Sequence, residues 1–120
     1  MTARPNVSMA VTQEWVAVCN LSDIVPDTGV CALVHGRQVA VFRLNDGSVY
    51  AIDNYDPFSS ANVLSRGIVG DLKGELVVAS PIYKQHFNLV TGQCLEDAEV
   101  SVAVFSVRVE GDMVAVSTNT

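Results

Sequence analysis

Histidine and cysteine are scarce in this chain, and their spacing limits the chemistry that they could perform. The two histidines, His35 and His86, come with no Gly-x-Ser-x-Gly motif of a nucleophilic hydrolase. The three cysteines, Cys19, Cys31 and Cys94, are widely separated, which disfavours a zinc site or a disulfide framework. We expect these thiols to be free and buried. No glycine-rich phosphate-binding motif occurs, so no nucleotide site is predicted.

Polar and turn-forming residues gather in two stretches that interrupt apolar segments. Residues 53–62 hold a cluster of Asp, Asn, Pro and Ser, which favours a long irregular loop. Residues 80–92 turn at Pro81 and again at Thr91-Gly92. Long loops in compact domains are usually functional. A metal set built from Asp56, Ser80, Tyr83 and His86 would be an odd mixture, because hard cations prefer several converging carboxylates.

Composition favours a single globular domain with its own core. The chain has 120 residues, of which 49% are hydrophobic and 17% charged, and a net charge of −6. An acidic chain without basic runs argues against nucleic-acid binding. No apolar run approaches the ~20 residues of a membrane-spanning helix, and the N-terminal residues lack the apolar core of a signal peptide. We therefore expect a cytoplasmic protein with a flexible tail over residues 1–13 and one domain over residues 14–118.

Short apolar strands separated by Gly, Asn and Asp turns predict an all-β, antiparallel sandwich or small barrel with two irregular loops. Turns are expected at Asp27–Gly29, His35-Gly36, Asn45–Ser48 and Lys73-Gly74. The clearest alternation spans Val100–Val109, with Ala103, Phe105, Val107 and Val109 on its buried face. The other predicted strands are Trp15–Val18, Val30–Val34, Arg37–Leu44, Val49–Ile52, Ile68–Leu72, Glu75–Ala79, Gln85–Leu89 and Met113–Ser117.

The order of these parts, from about Trp15 to Ser117, resembles Rieske-type iron–sulfur domains. The second cluster loop of that family reads Cys-Pro-x-His and then Phe-Asp-Leu-x-Thr-Gly. The frame of this pattern is kept here by Pro81, Phe87, Leu89, Thr91 and Gly92.

The ligands of that family are missing. A Rieske cluster takes two thiolates and two imidazoles, whereas the four corresponding positions here are Asp56, Phe58, Ser80 and Tyr83. These are degenerate cluster positions, and we expect Phe58 and Tyr83 to fill the volume that the cluster would occupy.

Three segments are similar to one family in particular, the small subunit of the assimilatory NAD(P)H-dependent nitrite reductase. They are Asp56–Phe58, Val63–Gly67 and Ala79–Phe87. The resemblance implies a non-catalytic, Rieske-like subunit that supports reduction of nitrite to ammonium. It also implies a large catalytic subunit that carries siroheme, a [4Fe–4S] cluster and FAD and uses NAD(P)H. No metal, cofactor or catalytic residue is then expected on this chain.

We expect the two loops to form the surface that docks on the large subunit. Exposed aromatic residues beside a cation are typical of binding hot spots, and the candidates are Tyr55, Phe58, Tyr83, Lys84 and His86. Two alternatives stay open. One is an independent electron carrier with a non-standard metal, and the other is a stand-alone binding or regulatory domain.

Overall fold

The computed structural model describes residues 14–118, and the tail predicted for residues 1–13 lies outside them. This part of the chain is built from strands and two single turns of 3-10 helix, Leu21–Asp23 and Leu64–Arg66. It contains no helix of the length and apolar character needed to cross a bilayer. The strands are β1 (Val16–Asn20), β2 (Thr28–Val34), β3 (Arg37–Arg43), β4 (Val49–Asp53), β5 (Tyr55–Asp56), β6 (Ala61–Asn62), β7 (Ile68–Leu72), β8 (Glu75–Ala79), β9 (His86–Asn88), β10 (Val104–Glu110) and β11 (Met113–Ser117).

The strands form three antiparallel sheets. Six of them make the main sheet, in the order β1-β11-β10-β4-β3-β2, and its two edge strands approach each other so that the sheet nearly closes. A second sheet contains β7, β8 and β9, and a two-stranded ribbon joins β5 to β6. The prediction of an antiparallel sandwich or small barrel is confirmed.

Two apolar cores lie on opposite faces of strand β3. Because side chains alternate along a strand, Ala40 and Phe42 enter one core while Val39 and Val41 enter the other. The first core lies between the main sheet and the β7-β8-β9 sheet, and it includes Phe87. The second lies within the curved main sheet. Alternation that buries both faces explains why β3 reads as a continuous apolar run.

Most of the predicted turns are confirmed, with one correction. His35 and Gly36 both have positive φ, 50° and 80°, as a two-residue hairpin turn requires. The expected turn Asp27–Gly29 is wrong beyond Asp27, because Thr28 and Gly29 already belong to β2. Glycine is needed there for close packing rather than for turning, since a Cβ at Gly29 would lie 2.6 Å from the Phe42 ring.

The predicted strand Val100–Val109 is also too long at its start. β10 begins at Val104, and Ala103 is exposed rather than buried. Residues 100–102 extend alongside a different segment, where the Val102 N–H donates to the Gly92 carbonyl at 2.8 Å. The alternation therefore continues through two structurally separate pieces, and Val109 at the far end is 37% exposed.

Candidate functional site

Loop 1, defined here as residues 54–63, leaves the end of β4 and returns through the β5–β6 ribbon. It was predicted to be wholly irregular, but Tyr55 and Asp56 pair with Asn62 and Ala61. Its base is held by Asn54, a buried residue whose Oδ1 accepts the Ser65 N–H at 2.7 Å. The Asn54 Nδ2 donates to the Gln38 side chain at 3.1 Å. These bonds attach the start of loop 1 to β3 and to the segment that follows the loop.

Loop 2, defined here as residues 80–85, connects β8 to β9 in a tight turn. The Ser80 N–H donates to the Gln85 carbonyl at 2.9 Å, and the Lys84 N–H donates back to the Ser80 carbonyl at 3.2 Å. To close this turn Lys84 adopts a φ of +70°, a left-handed conformation that is costly for a residue with a Cβ. The loop is therefore a defined structure rather than a loose connection.

The two loops meet at Asp56 and Ser80, which stand at the degenerate cysteine positions. The Ser80 Oγ donates to the Asp56 Oδ2 at 2.5 Å, and both residues have an exposed fraction of 0%. The Asp56 Oδ1 accepts the Phe58 N–H at 2.9 Å, and its Oδ2 accepts the Ser59 hydroxyl at 2.9 Å. One carboxylate thus gathers donors from both loops.

Opposing effects act on the pKa of Asp56. Burial raises it, but the hydrogen bonds from the Ser80 hydroxyl, the Phe58 N–H and the Ser59 hydroxyl outweigh burial and leave the pKa below its usual value. Asp56 is therefore a buried, charged hydrogen-bond acceptor at neutral pH. A carboxylate committed in this way is a poor general base and a poor metal ligand.

The aromatic residues at the two degenerate histidine positions behave differently from each other. Phe58 is half-buried and packs against Phe87, with ring centroids 6.1 Å apart, so it does fill space beneath the loops. Tyr83 does not, because it is 60% exposed and points away from the core. The expectation that both rings replace the cluster volume is correct for Phe58 and wrong for Tyr83.

The two loops expose several apolar side chains and one cation. Tyr55 is 42% exposed, and Ile82, which the sequence did not single out, is 44% exposed. The Lys84 Nζ donates to the Pro81 carbonyl at 3.3 Å, and within residues 14–118 the lysine joins no ion pair. We call Tyr55, Ile82, Tyr83 and Lys84 the docking tip. Tyr55 directly precedes Asp56 in loop 1, and the other three residues follow Ser80 in loop 2.

His86 is held by an acidic partner instead of projecting freely from the loop. Its Nδ1 lies 2.7 Å from the Glu96 Oε2, and its backbone N–H donates to the Glu96 Oε1 at 2.7 Å. Burial raises the pKa of Glu96, but these bonds outweigh burial and hold the pKa below its usual value. Glu96, which lies in the acidic connection after Cys94, thus fixes His86.

The donor set does not fit a Rieske cluster or another metal. The four degenerate positions offer no thiolate and no imidazole, and Asp56 is occupied by hydrogen bonds. Within residues 14–118, no three His, Cys, Asp or Glu side chains lie together as a metal site would need.

No cysteine stands at a degenerate ligand position, although the Cys31 Sγ accepts the Asn54 Nδ2 at 3.5 Å. All three are free, and burial raises the pKa of both the Cys19 and the Cys94 thiols. The expectation of buried thiols holds for Cys94 but is wrong for Cys31, which is exposed.

Comparison with known proteins agrees with this geometry. Residues 14–117 match the family described as Rieske-like [2Fe-2S] domain. The chain is 49% identical over 102 residues to the nitrite reductase (NADH) small subunit of Salmonella typhimurium, an alignment covering 84% of this chain and 94% of the relative. The NMR structure of the E. coli protein NirD superposes with a TM-score of 0.84 at 44% identity, covering 91% of this chain and 100% of that one.

A third relative is much longer than this chain. Part of the nitrite reductase NAD(P)H large subunit of Klebsiella oxytoca is 44% identical over 103 residues, which is 86% of this chain but 11% of that protein. A domain of this kind therefore also occurs inside a large-subunit polypeptide.

The fold and the two loops together define a Rieske-like domain in which none of the four cluster ligands is present. The chain belongs to the family of nitrite reductase (NADH) small subunits.

Proposed function

We propose that this chain is the non-catalytic small subunit of an assimilatory, NADH-dependent nitrite reductase and that it docks on the large subunit through the docking tip. The observation that carries the proposal is the construction of the two loops. They are rigidly built and joined to each other, yet they hold no metal set and present exposed apolar side chains. Such a surface suits binding better than chemistry.

The chemistry of the docking tip supports a protein partner. Tyrosine is enriched in binding hot spots because its ring contributes large area at low entropic cost. Tyr55 and Tyr83 supply two such rings. Ile82 adds an exposed aliphatic side chain, and Lys84 adds a positive charge. Phe58 acts from beneath as support, and His86 lies at the rim, where Glu96 limits its movement.

The Klebsiella relative supports the large subunit as that partner. Covalent linkage of two binding partners raises their effective concentration, so interacting chains can function as one polypeptide. A sequence 44% identical to this chain lies within a nitrite reductase large subunit. We place FAD, siroheme, the [4Fe–4S] cluster and the NAD(P)H site on the large subunit, and the complex in the cytoplasm.

Binding to the large subunit from the same organism tests the docking tip. Tyr83→Ala should raise the Kd about tenfold or more, as hot-spot truncations do. Lys84→Glu should also weaken binding, whereas Lys73→Glu should not. Lys73 is a matched control because it is exposed, has a left-handed φ of 55°, and lies in the turn before β8, away from loop 2.

Activity tests the subunit role itself. Adding this chain to the isolated large subunit should increase NADH-dependent nitrite reduction, because the complete enzyme contains both. Full activity of the large subunit alone would refute a required small subunit. Stoichiometric iron in the purified chain, or absorbance between roughly 400 and 600 nm where iron–sulfur clusters absorb, would instead favour the electron-carrier alternative.

A further inference from the structure

Asp56 is a costly residue for this domain to bury. Its exposed fraction is 0%, and among the described residues no cation forms an ion pair with it. Burying a charge is unfavourable unless hydrogen bonds compensate, and apolar replacements of buried ionic groups are often at least as stable. Stability alone therefore gives a weak reason for a carboxylate here. Buried polar groups can instead favour one conformation of the protein over alternative conformations.

A continuous series of hydrogen bonds runs from one loop to the other through this carboxylate. The Ile82 N–H donates to the Ser80 Oγ at 3.3 Å, and the Ser80 hydroxyl donates to Asp56 at 2.5 Å. The other carboxylate oxygen accepts the Phe58 N–H at 2.9 Å. In the described structure the Ser80–Asp56 bond is the one hydrogen bond that joins loop 1 to loop 2. Bonds to a charged acceptor are roughly twice as strong as neutral ones.

We propose that the Asp56–Ser80 pair takes over the mechanical task of a bound cluster, locking the two loops in the single arrangement that the large subunit recognises. Asp56 is then a positioning residue for partner binding. In a cluster-bearing domain the ligands of both loops would bond to one metal group, and here one carboxylate receives donors from both. This inference rests on the proposed docking function for its partner, but the coupling of the loops can be tested without one.

Amide hydrogen exchange of the isolated chain provides that test. Ser80→Ala, a change in loop 2, should accelerate exchange of the Ser60 N–H in loop 1, which bonds the Asp56 carbonyl. Asp56→Asn, a change in loop 1, should accelerate exchange of the Lys84 N–H in loop 2. We expect about a tenfold effect across the loops in each case, with the β8 amide of Val78 unchanged.

Ser48→Ala is the matched control, because the Ser48 hydroxyl also donates to an aspartate, Asp46, at 2.6 Å on an exposed hairpin. Ser48→Ala should leave the exchange rates of the Ser60 and Lys84 amides unchanged. Exchange that rises only within the substituted loop would overturn the proposal, whatever the function of the tip. Ser80→Ala removes the donor of this bond, and Asp56→Asn weakens it by removing the charge of the acceptor, so Asp56→Asn alone suffices if Ser80→Ala does not fold.

Affinity for the large subunit then tests the positioning role. Ser80→Ala and Asp56→Asn should raise the Kd about fivefold or more, although neither side chain is exposed, and Ser80→Thr should restore most of the binding. Coupled loops with an unchanged Kd would refute the positioning role. The docking surface has a separate test, because an unchanged Kd for Tyr83→Ala would show that the docking tip does not bind the large subunit.

Discussion

Replacing Gly92 with alanine should destabilise this domain severely, although the change adds one methyl group. Gly92 has a φ of +79°, and a Cβ there would lie 2.1 Å from the Val102 carbonyl oxygen. The left-handed conformation costs alanine ~1–2 kcal/mol, partly offset by ~0.4–1 kcal/mol of lost unfolded-state entropy. Relieving the clash also displaces the Val102 N–H, which donates to the Gly92 carbonyl at 2.8 Å, at a cost of ~1–3 kcal/mol. We expect a total of about 3 kcal/mol.

Gly74→Ala measures the cost of the left-handed backbone conformation without the steric clash. Gly74 has a similar φ of +86°, but no atom lies within 4 Å of the position of its Cβ. Its replacement should therefore cost only about 1 kcal/mol. Denaturant unfolding of both variants gives the two free energies, and thermal unfolding should show Gly92→Ala melting at least about 10 °C below the wild type. Equal destabilisation by the two alanines would refute the steric argument.

Two further predictions concern the loops. Because hydrogen bonds lower the pKa of Asp56 in the folded state, its stabilising contribution is complete above the unfolded pKa of about 4 and is lost as the pH falls below it through the lower folded pKa. Asp56→Asn should flatten this part of the stability profile measured by denaturant unfolding, and an unchanged slope would show that Asp56 does not titrate as described. Phe58→Ala should cost about 2 kcal/mol because the ring packs on Phe87, whereas Tyr83→Ala should alter thermal stability by less than about 0.5 kcal/mol. A reversed order would contradict the packing assigned to the two rings.

The strand content could be predicted because two local signals agree along most of the chain. Apolar alternation marks strands, and glycine beside a polar residue marks tight turns, as at His35-Gly36. Neither signal shows which strands pair with each other. The run from Val100 alternates throughout, yet residues 100–102 associate with residues 92–94, and the remainder lies along the main sheet.

The candidate site was predictable in position but not in its internal bonds. Pro81 and the turn-forming residues around Asp56 mark two loops, and the resemblance to Rieske domains indicates that they lie together. The bond between Asp56 and Ser80 joins residues far apart in sequence, so no local pattern reports it. Glu96 was missed for the same reason, because an acidic connection looks solvated until its contact with His86 is seen.

The pairing of β1 with β11 governs when this chain can complete its fold. Val16 lies opposite Val116, so the first and last strands of the main sheet are joined across about 100 residues of intervening chain. During synthesis β11 emerges last, and until it does β1 and β10 both lack a neighbour. The domain therefore completes its sheet only after translation of β11, and such long-range pairing folds slowly. A partner that recognises the finished domain can therefore bind only after β11 has emerged from the ribosome and paired with β1.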